Sequence, residues 1–209
     1  MSGENGQNSI KVTLLGSSGV GKTCIIRRYT DEVFDPNSQT TSGASYSQKY
    51  VQVEDKEVLL DLWDTAGQEK YRSLGRHFYK DAYIVCLVYD ITNQDSFNDV
   101  KEKWYIDLKT YGEKYNVLAV VGNKSDCYEN EEVSEETARE FAKEINAVFM
   151  LISAKSGHNI QNLFETLVRQ YLGPEFSKKV SEMKGNKGEV TKVSSDKALS
   201  GKKGGGKCC

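Results

Sequence analysis

The sequence predicts an α/β fold whose sheet is parallel except for one antiparallel strand. Three observations predict it. Six short runs rich in Val, Ile, Leu or Tyr alternate with stretches of helical apolar spacing, the pattern of strands joined by crossover helices. Two consecutive runs are separated by only four polar residues, too few for a crossover, so they form a hairpin. Two other runs are apolar on both alternating faces, as strands covered on both sides are. With 209 residues, 38% hydrophobic and 28% charged, the chain suits one core with some surplus.

Each element follows in order. Residues 1–7 are polar and are expected to be disordered, with neither the basic nor the apolar stretch of a secretory signal. The strand runs are 10–15, 44–53, 58–63, 83–89, 117–121 and 148–152, with a polar turn at Glu54, Asp55, Lys56 and Glu57 closing the hairpin. Helical patterns cover 22–29, 71–79 more weakly, 96–111, 135–146 and 159–171. Beyond Gly173 and Pro174 the composition changes. Residues 175–207 hold nine lysines against four acidic residues, a surplus of five, which leaves the preceding residues at −7 within a total of −2. With few large apolar groups this stretch cannot build a core, so a disordered basic tail is expected over 175–209.

Composition also excludes. The near-neutral total provides no global basic field, so nucleic acid is not the expected partner. The longest apolar stretch, residues 82–89 (AYIVCLVY), is far short of the roughly 20 residues that cross a bilayer. Cys24, Cys86 and Cys127 are scattered and Cys208 and Cys209 end the chain, which fits no disulfide framework or zinc cluster and suits a reducing compartment.

Three motifs carry chemistry. After the first strand run comes Gly16-Ser17-Ser18-Gly19-Val20-Gly21-Lys22-Thr23, which matches G-x-x-x-x-G-K-[ST] between a strand and a helix. Glycines let backbone N–H groups close around phosphate oxygens, the helix N-terminus favours an anion, Lys22 would reach the terminal phosphates and Thr23 would ligate Mg²⁺. After the third run, Asp64-Thr65-Ala66-Gly67-Gln68-Glu69 offers a carboxylate for the metal and, at Gly67, an unobstructed N–H for a γ-phosphate. Gln68 is a candidate to orient an attacking water. After the fifth and sixth runs come Asn123-Lys124-Ser125-Asp126 and Ser153-Ala154-Lys155, at the strand ends where doubly wound sheets bind ligands. The Asp126 carboxylate can accept from both N1–H and N2–H₂ of guanine, a donor pair adenine lacks.

On these motifs, together with residues 71–74 (YRSL), residues 89–97 (YDITNQDSF) and the terminal Cys208-Cys209, residues 8–174 resemble a Ras-superfamily small GTPase, most closely the Rab family and its endosomal members. The resemblance implies a P-loop NTPase fold: a six-stranded, mostly parallel sheet with one antiparallel edge strand and five flanking helices. It implies GTP or GDP with Mg²⁺ as ligands, and a monomeric switch that hydrolyses GTP slowly and recruits effectors to membranes in vesicle trafficking.

By the same resemblance Ser18, Gly19, Val20, Gly21, Lys22, Thr23 and Cys24 surround the phosphates, and Phe34, Asn123, Lys124, Asp126, Ser153, Ala154 and Lys155 surround the base. Ala154 offers an N–H to the guanine carbonyl. Thr23, Thr41 and Asp64 serve the metal; Thr40 competes with Thr41, and the family spacing selects Thr41. The implied partners are an exchange factor, a GTPase-activating protein, a GDP-dissociation inhibitor or prenylation escort, and effectors at the switch regions. Cys208 and Cys209 would carry geranylgeranyl groups that hold the protein on the cytoplasmic face of an intracellular membrane, cycling with the cytosol. The sequence departs from Rab usage at Ser42, Tyr46, Lys70, residues 78–81 (FYKD) and Cys127, where partner choice rather than nucleotide chemistry is expected to change. A phosphotransferase would need an acceptor pocket and an arginine-bearing lid, and no insertion is long enough for one. A GTP-holding docking module that scarcely hydrolyses remains the other alternative.

Overall fold

Apolar residues on both faces of the runs at 83–89 and 117–121 require two covering layers, and the molecule supplies them. The computed structural model describes residues 9–38, 41, 45–65, 80–112 and 115–173. In chain order the elements are β1 (Ile10–Leu15), α1 (Lys22–Asp31), β2 (Ser45–Val53), β3 (Lys56–Asp64), β4 (Ile84–Asp90), α2 (Gln94–Asp99), a π-helical turn (Val100–Trp104), α3 (Tyr105–Tyr111), β5 (Val117–Asn123), a 3₁₀ segment (Ser125–Asn130), α4 (Glu135–Glu144), β6 (Val148–Leu151) and α5 (Ile160–Leu172). The sheet order is β2-β3-β1-β4-β5-β6. Only the edge pair β2–β3 is antiparallel; β1–β3, β1–β4, β4–β5 and β5–β6 are parallel.

Side-chain alternation sorts the core into two layers. Ile84, Cys86 and Val88 of β4 with Val117, Ala119 and Val121 of β5 face α1 and α5, where Ile25, Tyr29, Phe164 and Leu167 complete the layer. Val85, Leu87 and Tyr89 with Leu118 and Val120 face α2, α3 and α4 through Phe97, Trp104, Leu108 and Phe141. Tyr29 and Phe164 stack with centroids 3.9 Å apart, which locks α1 onto α5. From β1 the chain passes to the β2–β3 hairpin on one side and then, through β4, to β5 and β6 on the other, so the order in which strands are added reverses between the parallel neighbours β1 and β4. That reversal opens a crevice at the carboxyl ends of the strands.

The boundaries differ from expectation for local reasons. The hairpin turn is tighter than the four residues expected: Val53 pairs with Lys56, because Glu54 takes φ 57, the left-handed conformation that matches the twist of paired strands. Lys56 and Glu57 therefore belong to β3. The helix expected from residue 96 begins at Gln94, where the Asn93 side chain accepts from the Ser96 N–H, and it runs on through the π-helical turn into α3. The helical pattern at 71–79, the termini at 1–7 and 175–209, and the tail cysteines lie outside the described residues. No helix among the described residues is long and apolar enough to cross a membrane.

Candidate functional site

The P-loop follows β1 and feeds directly into α1. Gly21 precedes the helix at φ 93, and no side chain caps the N-terminus nor is there an acidic residue in the first turn. The orphan N–H groups of the first turn are thus left to an external anion. Lys22, the first helical residue, is buried and donates from Nζ to the Gly16 carbonyl at 2.7 Å and the Ser17 carbonyl at 3.1 Å. Burial lowers its pKa to about 8, partly offset by the Asp64 charge. A buried ammonium with a depressed pKa is a cation awaiting an anion.

Asp64 ends β3 and is 1% exposed. Its Oδ2 accepts from Thr23 Oγ1 at 2.6 Å, and Thr41 Oγ1 lies 2.7 Å from Thr23 Oγ1 and 3.4 Å from the same carboxylate oxygen. Oδ1 is buried with no hydrogen-bond partner. Burial pushes this carboxyl above its ordinary range despite the hydroxyls and Lys22. One carboxylate, including its orphaned Oδ1, and two threonine hydroxyls form an all-oxygen donor set, which fits a hard divalent cation.

At the other end, Asn123 is the last residue of β5 and ties three segments together. It donates from Nδ2 to the Val20 carbonyl at 2.8 Å and accepts at Oδ1 from the Ala154 N–H at 3.1 Å. The Ala154 N–H expected to meet a ligand therefore has an internal partner here. Asp126 accepts from Ser153 Oγ at 2.6 Å and lies 3.6 Å from Lys155 Nζ. Partial burial pushes its pKa up, but these partners outweigh burial and hold it below the ordinary carboxylate range, so it stays an acceptor.

Both ends border one cavity of about 450 Å³. Of the residues singled out from sequence, Ser18, Gly19, Gly21, Lys22, Thr23, Cys24, Phe34, Thr41, Asn123, Lys124, Asp126, Ala154 and Lys155 line it. Val20, Asp64 and Ser153 stand behind the wall as supports. Thr40, Gly67 and Gln68 lie outside the described residues. Sequence reasoning missed Asp90, whose Oδ2 holds Lys124 Nζ at 2.6 Å while Oδ1 accepts from the Thr92 N–H and hydroxyl. It also missed Arg28 on α1, which donates into the loop at 154–155. The pairing of Asp90 opposite Asn123 is a signal only the sheet register reveals.

The Ras family model matches residues 11–173. Ras-related protein Rab-31 of Mus musculus is 42% identical over 168 residues, covering 79% of this chain and 86% of the relative. Ras-related protein Rab-22A of Homo sapiens is 40% identical, covering 77% and 82%, and GTP-binding protein ypt1 of Schizosaccharomyces pombe is 38% identical, covering 77% and 78%. With the match spanning the whole sheet, the cavity between P-loop and base loops, and all three motifs, the chain belongs to the Ras family as a Rab-type small GTPase.

Proposed function

We propose that this protein is a membrane-recruited switch of vesicle trafficking that binds GTP across the cavity, hydrolyses it, and changes partner when the γ-phosphate is lost. The observation that carries the reading is the polarity of the cavity: a buried lysine and an uncapped helix N-terminus at one end, and at the other a carboxylate kept ionised by Ser153 and Lys155. A triphosphate suits the first end and the N1–H/N2–H₂ edge of guanine suits the second.

Residue roles follow from that placement. The amides of residues 18–24 and Lys22 neutralise phosphate charge. Phe34 and the Lys124 stem flank the base, with Asp90 holding the Lys124 ammonium. Asp126 selects guanine, and Ser153, Ala154 and Lys155 shape the loop beside the guanine carbonyl. Thr23 and Thr41, backed by Asp64, would hold Mg²⁺, which when bound supplies positive charge to the phosphates. With the γ-phosphate present Thr41 would turn from its contacts with Thr23 and Asp64 to the metal, and it would lose that tie on hydrolysis, which makes its segment a release point. Gln68 orients water, and an activating protein adds transition-state charge worth up to about 10⁵-fold. Exchange factors, a GDP-dissociation inhibitor or prenylation escort and effectors read the segments around Thr41 and Gly67. Lipid groups on Cys208 and Cys209 anchor the protein on an intracellular membrane of endosomal type.

Titrating nucleotide-free protein with GTP and with ATP tests the reading. A site built to pair with a base edge rejects the wrong edge by about 10⁴-fold, and equal affinities would overturn the assignment of Asp126. For hydrolysis, Gln68→Leu is expected to slow single-turnover phosphate release at least tenfold with little change in GTP affinity; an unchanged rate removes Gln68 from the mechanism.

A further inference from the structure

Arg28 stands nearly two turns into α1, away from the phosphates, and no motif includes it. Its guanidinium nevertheless makes three hydrogen bonds to carbonyls: Nε to Ala154 at 2.8 Å, Nη2 to Lys155 at 2.8 Å and Nη1 to Glu32 at 2.6 Å. The first two partners belong to the loop that closes the cavity at its base end. The third is the residue that ends α1 in the left-handed conformation at φ 60. The planar fork of an arginine fixes the relative angles of all three acceptors, which a lysine cannot do. Gly157 follows the loop at φ 85, a left-handed backbone that favours glycine.

We infer that Arg28 is a positioning residue for guanine recognition: it holds the 154–155 loop at the angle from which that loop meets the guanine carbonyl, and joins this loop to the helix whose N-terminus faces the phosphates. The inference rests on the proposed orientation of GTP in the cavity. Asn123 supplies one tie between the P-loop and the loop, through Val20 and Ala154; Arg28 supplies a second from the opposite end of α1. A carbonyl that accepts a charge-assisted hydrogen bond has its peptide plane fixed; the Ala154 carbonyl shares its plane with the Lys155 N–H, so Arg28 fixes that N–H directly, one residue along from the Ala154 N–H that Asn123 holds. Loosening Arg28 therefore acts first on the carbonyl edge of the base, while the Asp126 edge keeps its 2.6 Å bond from Ser153 and loses at most the longer contact with Lys155.

The test uses full-length protein loaded with three diphosphates and follows their dissociation. GDP is the reference. 6-thioguanosine diphosphate replaces the carbonyl oxygen with sulfur, a weak acceptor, and keeps N1–H and the 2-amino group. Inosine diphosphate keeps the carbonyl and lacks the 2-amino group. In the wild type both analogues are expected to leave at least tenfold faster than GDP. In Arg28→Ala, GDP is expected to leave about 10- to 100-fold faster and its advantage over the thio analogue to shrink to within about threefold, while its advantage over inosine diphosphate persists. Arg28→Lys, which keeps the charge but loses the fork, is expected to fall between and provides the measurement if the alanine variant does not fold. A wild type that ignores the sulfur would refute the orientation of GTP itself. A wild type that discriminates beside variants with unchanged ratios, or with both ratios lost together, would overturn the role of Arg28.

Discussion

At the residue scale the site holds two buried charges of opposite sign, each short of partners. Lys22 is 5% exposed with its pKa lowered to about 8 chiefly by burial, so the folded, nucleotide-free protein binds fewer protons there than the unfolded chain between pH 8 and the ordinary lysine value of 10.5. The sign of the linkage follows: this group costs stability below pH 8, and the cost is relieved as pH rises toward 10.5. Lys22→Met is therefore expected to raise the thermal midpoint of the nucleotide-free protein while abolishing measurable triphosphate binding, as read by calorimetric unfolding and titration. Wild-type GTP affinity is expected to fall as pH rises above about 8, because binding then requires uptake of a proton. Affinity flat to pH 10 would show that Lys22 keeps its charge in the empty site and is not depressed by burial. Asp64 is the complementary case, a carboxyl raised by burial with one buried oxygen that has no hydrogen-bond partner.

The elements owe their positions to backbone geometry as much as to apolar pattern. Gly21 combines φ 93 with a close approach, since a Cβ there would lie 2.5 Å from Asn123 Nδ2. Gly21→Ala is thus expected to push Asn123 off the Val20 carbonyl and so disturb both ends of the cavity, costing about 2 kcal/mol of stability and at least tenfold in nucleotide affinity. Denaturant unfolding and nucleotide dissociation rates check the pair of effects. A loss of stability with normal nucleotide release would place Asn123 outside the binding machinery. The π-helical turn between α2 and α3 has a comparable geometric consequence. It keeps both Val100 and Trp104 buried while the Trp104 ring N–H reaches Ser17 Oγ at 3.3 Å, and Ser17 Oγ donates to Asp99 at 2.7 Å. The P-loop is thereby tied to the layer opposite α1. The helical pattern over 96–111, with Phe97, Trp104 and Tyr111 at helical spacing, predicted a helix through this region but carried no sign of the wider turn, which changes side-chain direction without changing the apolar pattern.

For the whole molecule, the described residues account for nucleotide binding and the tail would account for place. One lipid chain gives marginal membrane binding and two anchor stably, so Cys208→Ser with Cys209→Ser is expected to shift the protein from the membrane pellet to the soluble fraction on cell fractionation. Continued sedimentation with membranes would refute the lipid anchor. Each lysine of residues 175–207 near an anionic surface adds about 1 kcal/mol, weakened by salt.

The alternation of strands and helices, the antiparallel edge and most of the residues lining the cavity were legible in the sequence because their determinants are contiguous: a glycine-rich string between strand and helix, a carboxylate at a strand end, apolar runs of the right period. The single family-spacing choice of Thr41 over Thr40 fits the hydroxyl that sits beside Thr23. Asp90 and Arg28 were not legible. Arg28 reaches carbonyls 126 and 127 positions away, and backbone acceptors are the same at every residue, so no string of side chains records which of them a distant guanidinium will meet. Asp90 meets Lys124 only because the β4–β5 register sets it opposite Asn123. The chain's order of residues thus determined which groups could handle a nucleotide, and folding decided which other groups hold them still, because positioning depends on distances in space that residue identity alone does not encode.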